Sequence, residues 1–147
     1  MKTKTITILL FLFSFIQLSA QQITLYNKQD KPVAYIDYDE EVTIFLWNGT
    51  PVAFLEEDGD DNLIYGFNGK FMGWYEEGAI YDEKGNVVGV QDREDKIRVK
   101  IEPIKGIQGI TPIRPISLKF APMKPIWSRY WSSTPLVDFL SFGKRRF

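Results

Sequence analysis

The residues best placed to do chemistry in this chain are carboxylates. Asp58, Asp60 and Asn62 stand at alternate positions, as the first three oxygen ligands of a calcium loop do. Leu63 then takes the place of the required glycine, and Gly69 falls where the twelfth-position glutamate should be, so a solvated turn is the better reading. Three acidic pairs, Glu40-Glu41, Glu56-Glu57 and Glu76-Glu77, could supply the acid and base of glycoside hydrolysis. That chemistry needs two carboxyls about 5–9.5 Å apart across a cleft, one of them raised in pKa by burial. Adjacent acids between short strands are placed to meet water instead. The chain has no His and no Cys. This removes the commonest general base, the thiolate nucleophile and the ligands of ordinary zinc, copper and haem sites. A serine or threonine nucleophile would lack its base, and no glycine-rich phosphate loop opens a helix. We therefore expect no enzyme activity, no cofactor and no metal.

The acidic groups lie in connections between strands. A short phrase recurs, best kept as Asn48-Gly49-Thr50-Pro51-Val52-Ala53-Phe54 and again as Asn68-Gly69-Lys70-Phe71-Met72-Gly73-Trp74. Weaker copies are Asp30-Lys31-Pro32-Val33-Ala34-Tyr35 and Gly85-Asn86-Val87-Val88-Gly89-Val90, and the turns are spaced 19, 20 and 16 residues apart. Asn-Gly between β-formers is a strong hairpin signal and predicts type I′ turns. The flanking runs are rich in Ile, Val, Tyr, Phe and Trp with no sustained helical period, so 21–92 is expected to be all-β. In a meander the acidic connections collect at one end and the Asn-Gly turns at the other. The small residues Ala34, Ala53, Gly73 and Gly89 are expected where neighbouring backbones crowd. The recurring aromatics Tyr26, Trp47, Trp74 and Tyr81 have two readings, a shared core or a ligand platform.

This repeated turn–strand phrase resembles the bacterial 4-fold beta flower domain over about residues 23–90. The resemblance is carried by stretches such as Ile64-Tyr65-Gly66-Phe67-Asn68-Gly69-Lys70 through Gly73-Trp74; the fourth copy departs from it, with Val90 where an aromatic is expected. It implies four β-hairpins around a pseudo-fourfold axis and carries no catalytic residues with it.

The two ends of the chain differ from this head. Lys2 and Lys4 precede an uncharged apolar run, Ile6 to Leu18, with Ser19-Ala20 beyond it. That is the pattern of a signal peptide over 1–20 and implies export to the periplasm or beyond, with an uncleaved anchor as the alternative. Residues 93–101 read as a charged junction leading to an extra strand. From 102 to 147 the composition turns proline-rich and basic, holding six of the eight prolines. Charge divides the same way: Gln21–Asp95 carries 17 acidic and 5 basic side chains, and Lys96–Phe147 carries 2 acidic and 11 basic.

Within the tail, Pro112-Ile113-Arg114-Pro115-Ile116 is echoed by Pro122-Met123-Lys124-Pro125-Ile126. In a polyproline II helix of 3 residues per turn the prolines share one face, the apolar residues a second and the cation a third. An extended spacer is one reading. The other is a docking strip of Pro112, Arg114, Pro115, Pro122, Lys124 and Pro125, with Trp127 and Trp131 beyond it. Residues 135–142 could form two helical turns, with Thr134 as N-cap. The sequence thus describes an exported, non-enzymatic β-repeat module for binding or envelope interaction. The alternative is a structural or regulatory protein whose basic tail docks on its own acidic head or on an anionic surface. A carboxylate glycoside hydrolase is less favoured, and nucleic acid is a poor partner for an acidic exported head.

Overall fold

The computed structural model describes residues 21–91 and 102–145. The expected signal segment at 1–20 and the expected extra strand at 93–101 lie outside the described residues. Eight strands follow one another: β1 (Gln22–Tyr26), β2 (Pro32–Asp37), β3 (Thr43–Leu46), β4 (Pro51–Asp58), β5 (Asp61–Gly66), β6 (Phe71–Glu76), β7 (Ala79–Asp82) and β8 (Val87–Gln91). Each pairs antiparallel with the next, and β8 returns to β1 through Leu25↔Gln91 and Tyr26↔Val90. The result is an all-β closed barrel with no free sheet edge. One short helix, α1 (Leu136–Ser141), follows the tail.

The turns explain much of the register. In each of the β1–β2, β3–β4, β5–β6 and β7–β8 connections a three-residue loop ends in a residue of positive φ: Asp30, Gly49, Gly69 or Gly85. The Gly49 N–H donates to the Leu46 carbonyl and the Leu46 N–H to the Thr50 carbonyl, with the same pattern at Gly66–Gly69–Lys70 and Asp82–Gly85–Asn86. This is a type I turn closed by a left-handed glycine, which differs from the expected type I′ form. Asn48 and Asn68 are needed for their side chains: each Oδ1 accepts the backbone N–H two residues on, from Thr50 and Lys70, at 3.0 Å. Each hairpin then carries a register shift at one place, between Leu25/Tyr26, Ile44/Phe45, Ile64/Tyr65 and Ile80/Tyr81. The matching aromatics are therefore Tyr26, Phe45, Tyr65 and Tyr81. Trp47, which the sequence grouped with Tyr26 and Tyr81, sits in a loop, as does Phe67.

Alternation along the strands divides the apolar residues between two cores. Leu25, Ile36, Ile44, Leu55, Ile64, Ile80 and Val88 point into the barrel, where Leu136, Phe139 and Leu140 of α1 join them. Phe54, Leu63, Tyr65, Phe67, Phe71 and Trp74 point outward and are nevertheless buried, because Leu118, Ala121 and Trp127 of the tail cover them. The small residues serve the inner core. A Cβ on Gly89 would strike Leu136 side-chain carbons at 2.6 and 3.0 Å, so this glycine makes room for the helix and not for a neighbouring hairpin. Gly73 does face a backbone, the Tyr81 carbonyl, as well as the Phe139 ring. The helix starts at Pro135 with no side-chain cap; Thr134 instead donates its N–H to Ser132 Oγ at 3.3 Å.

Candidate functional site

The feature that covers most of the barrel's outer aromatic face is the chain's own tail. From 102 onward it runs extended past β1 first and β8 last. Glu102 accepts a hydrogen bond from the Tyr26 hydroxyl at 2.7 Å, and Trp131 bridges to Val87 at the far end. As far as Ile116 every third side chain is turned toward the barrel: Lys105, Gln108, Thr111 and Arg114 are half-buried while Ile104, Ile107, Ile110 and Ile113 are exposed; beyond it the register slips by one residue, and Leu118, Ala121 and Trp127 are half-buried. That period is the polyproline II one read from the two Pro-x-x-Pro copies.

Three cations on the inward face each meet an aromatic ring. Lys105 Nζ lies 4.4 Å from the centroid of Tyr35 and 5.1 Å from that of Trp47. The Arg114 guanidinium lies 4.4 Å above Phe54, and Lys124 Nζ lies 5.2 Å from Trp127. Cations attracted to a ring face gain about 0.5–1 kcal/mol at exposed sites and more where water is excluded. Trp127 itself stands between Trp74, at 5.6 Å, and Tyr81, at 4.3 Å.

The same cations reach the acidic connections. Arg114 pairs with Glu56 at 3.2 Å and donates to the backbone carbonyl of Glu41, while Lys124 pairs with Asp61 at 2.5 Å and Glu76 at 2.6 Å. The hydrogen bonds from Lys124 to Asp61 and Glu76 raise its pKa above the usual lysine value, against a small opposing effect of burial. Burial, followed by the nearby Asp58 and Glu56 charges, raises that of Tyr65, whose hydroxyl donates to the Lys119 carbonyl at 2.8 Å. Asp58 and Asp61 thus flank an ordinary two-residue turn, Gly59-Asp60, and Asp61 holds a lysine. Among the described residues no group of carboxylates is arranged to hold a metal.

Backbone contacts set the tail's register against the turns. The carbonyl of the left-handed glycine in each of three tight turns is turned out to accept a tail N–H: Gly49 from Gly109 at 2.8 Å, Gly69 from Lys119 at 3.1 Å, Gly85 from Ser128 at 2.8 Å. Gly106 packs on the Asn48 backbone, Pro115 on Gly69 and Pro125 on Gly85. The tail therefore holds three copies of one motif, the first being Pro103-Ile104-Lys105-Gly106-Ile107. Sequence reasoning found only the other two, because Gly106 stands where they have Pro115 and Pro125. Lys105, Gln108, Gly109, Lys119 and Ser128 were missed with it.

This repeated docking of tail on turns carries the pattern of the hairpins as far as Ser128. The model of the 4-fold beta flower proteins matches residues 23–140. The chain belongs to that family. The match reaches well past the expected limit near residue 90, so the tail and most of α1 belong to the beta flower pattern as much as the strands do. No curated protein and no solved structure matches the chain.

Within this beta flower protein the residues singled out from sequence fall as follows. Tyr26 and Trp74 are buried and Trp47 and Tyr81 half-buried, so they form no open platform; the tail lies over them. Pro112, Arg114, Pro115, Pro125, Trp127 and Trp131 are half-buried along the tail, while Pro122 and Lys124 are more exposed. A cleft of about 1210 Å³ opens at the tight-turn end, between the third and fourth hairpin loops and α1, and is lined by Phe71, Met72, Phe139, Phe142, Lys70 and Lys84 among others. Glu40-Glu41, Glu56-Glu57 and Glu76-Glu77 lie outside its walls.

Proposed function

We propose that this beta flower protein is an exported, non-enzymatic binding or structural module. Its four hairpins are four equivalent units around a pseudo-fourfold axis, and together they form a groove for an extended, proline-rich cationic segment. The resident occupant of that groove is its own tail. The observation that carries the reading is the recurrence of one backbone contact, a left-handed glycine carbonyl accepting a tail N–H at Gly49, Gly69 and Gly85, accompanied twice by a tail cation over a barrel ring, Lys105 on Tyr35 and Arg114 on Phe54. Such a set recognises backbone direction, side-chain period and charge at once, which is how polyproline II segments are read. Docking on the acidic head is favoured over docking on an anionic surface, since Arg114 and Lys124 are directed at the head's carboxylates. A glycosidase reading is disfavoured because Glu56 and Glu76 are held by those same cations.

The test loosens the tail and offers a substitute. In the whole protein carrying Lys105→Ala, Arg114→Ala and Lys124→Ala, a labelled peptide of residues 102–131 should bind, measured by fluorescence anisotropy. The parent, already occupied, should bind it at least tenfold more weakly. A variant whose Gly109, Lys119 and Ser128 amides exchange freely with solvent but which takes up no peptide overturns the reading.

A further inference from the structure

The outward face of the tail is a ridge of large apolar side chains. Ile104, Ile107, Ile110, Ile113 and Ile116, then Phe120, Met123 and Ile126, are each 85–107 % exposed. Fully burying such a side chain removes roughly 60–120 Å² from water, so the eight together present roughly 500–1000 Å². The largest apolar patch on a typical monomer is about 300–600 Å². A surface of this extent, in a chain that buries most of its other large apolar residues in two cores, requires something to cover it.

Three observations narrow what that is. From Ile104 to Ile116 the ridge carries no charge: Lys105 and Arg114 face the barrel, so an anionic surface finds neither of them there. Hydrocarbon is a poor solvent for it, because among the described residues the Ile107 and Ile110 N–H groups have no protein partner, and an unpaired N–H in lipid is costly. What does fit is a ridge of the same kind. From Ile104 to Ile116 the apolar teeth come at every third residue, which in an extended chain is roughly 9 Å apart, and two such rows can interdigitate tooth between tooth.

We propose that the isoleucine ridge is the surface through which copies of this chain associate side by side. A standard interface takes about 800 Å² from each partner, as much as the whole ridge presents, so a contact made by part of it is weak and forms in a concentration-dependent way. The ridge, however, follows the tail from β1 round to β8, so one neighbour meets only part of it. Each barrel then has more than one neighbour, and the assembly grows beyond a dimer. This goes beyond the groove reading and does not depend on it: the groove uses the inward face of the tail, the assembly the outward one.

The experiment is light scattering of the purified protein across a wide concentration range. The parent should give a mass that rises with concentration past that of a dimer. Ile107→Gln with Ile110→Gln should shift that rise to at least tenfold higher concentration, with the near-ultraviolet circular dichroism of the buried tryptophans unchanged. Ile107→Val with Ile110→Val, which keeps the teeth apolar, should assemble as the parent does. A parent that stays monomeric throughout overturns the proposal. So does a Gln variant that assembles like the parent, or a monomeric parent that binds phosphatidylcholine vesicles through the same two residues. Should both double variants lose the tryptophan signal, Ile104→Gln alone is read against the same masses.

Discussion

Trp127 lies stacked on Tyr81, with 4.3 Å between ring centroids and 18° between ring planes. One residue belongs to the tail and the other to β7, and the same indole meets Trp74 edge-on at 5.6 Å. Trp127→Ala should therefore destabilise the barrel itself, by about 2 kcal/mol through lost packing and two aromatic pairs. Trp74→Ala, in a fully buried position, should cost about 3–5 kcal/mol. Chemical denaturation of both variants checks this. If Trp127→Ala unfolds at the parent's midpoint, the tail rests on the barrel without supporting it.

Arg114 combines a ring contact with Phe54 and an ion pair with Glu56, and its side chain is about a quarter exposed. Arg114→Gln keeps some hydrogen-bonding capacity and loses the charge. It should lower stability by about 1 kcal/mol at low ionic strength, since partly exposed pairs are worth little more than that. The loss should shrink in 1 M salt, where screening acts within about 3 Å. Thermal unfolding at both salt concentrations reads the difference. An equal loss at both would assign the effect of Arg114 to packing alone.

Two glycines separate crowding from backbone conformation. A Cβ on Gly73 would run into the Tyr81 carbonyl, and Gly73→Val should cost about 3 kcal/mol, at the upper end of ordinary overpacking. Gly59 has nothing within 4 Å of an added Cβ but has φ of +61°. Gly59→Ala should cost about 1 kcal/mol through backbone strain alone, and Gly59→Asn should recover most of it, because asparagine tolerates that region. Equal melting temperatures for the Ala and Asn variants would contradict the account.

The hairpins were legible because the residues that make their turns are local: Gly49 and Gly69 need no distant partner to adopt a positive φ. Barrel closure was not, since it rests on two residue pairs, Leu25↔Gln91 and Tyr26↔Val90, with no special chemistry in either. Two helical turns were legible over 135–142, where α1 forms. Its place among the strands was not, because Gly89 looks the same in sequence whether a side chain or a backbone fills the space beside it. The aromatics posed the deepest ambiguity. Alternation requires some of them to face outward, and only the tail's three-residue period, complete once Gly106 is accepted in a proline position, says what covers them.

Tyr75 offers a test of the inner core by pH. It belongs to β6, is buried with the inner cluster, and donates from its hydroxyl to Gln91 Oε1 at 2.7 Å, beside the β8–β1 closure. Burial, with a smaller contribution from nearby Tyr38, pushes its pKa up to about 12 from the ordinary 10.0. The folded state thus holds this proton more tightly than the unfolded chain. Its contribution is fully present below pH 10 and is lost as pH rises through about 12. The loss should be on the order of 1–2 kcal/mol, discounted for screening near the barrel end. Tyr35, Tyr38 and Tyr65 are raised in the same direction by burial and add to the slope. Tyr75→Phe forfeits one hydrogen bond, about 1 kcal/mol at pH 8. Because it removes this titration, the variant should lose less than the parent between pH 10 and pH 11.5 in urea unfolding. Parallel curves for the two proteins over that interval would mean that Tyr75 ionises as readily in the barrel as in the unfolded chain.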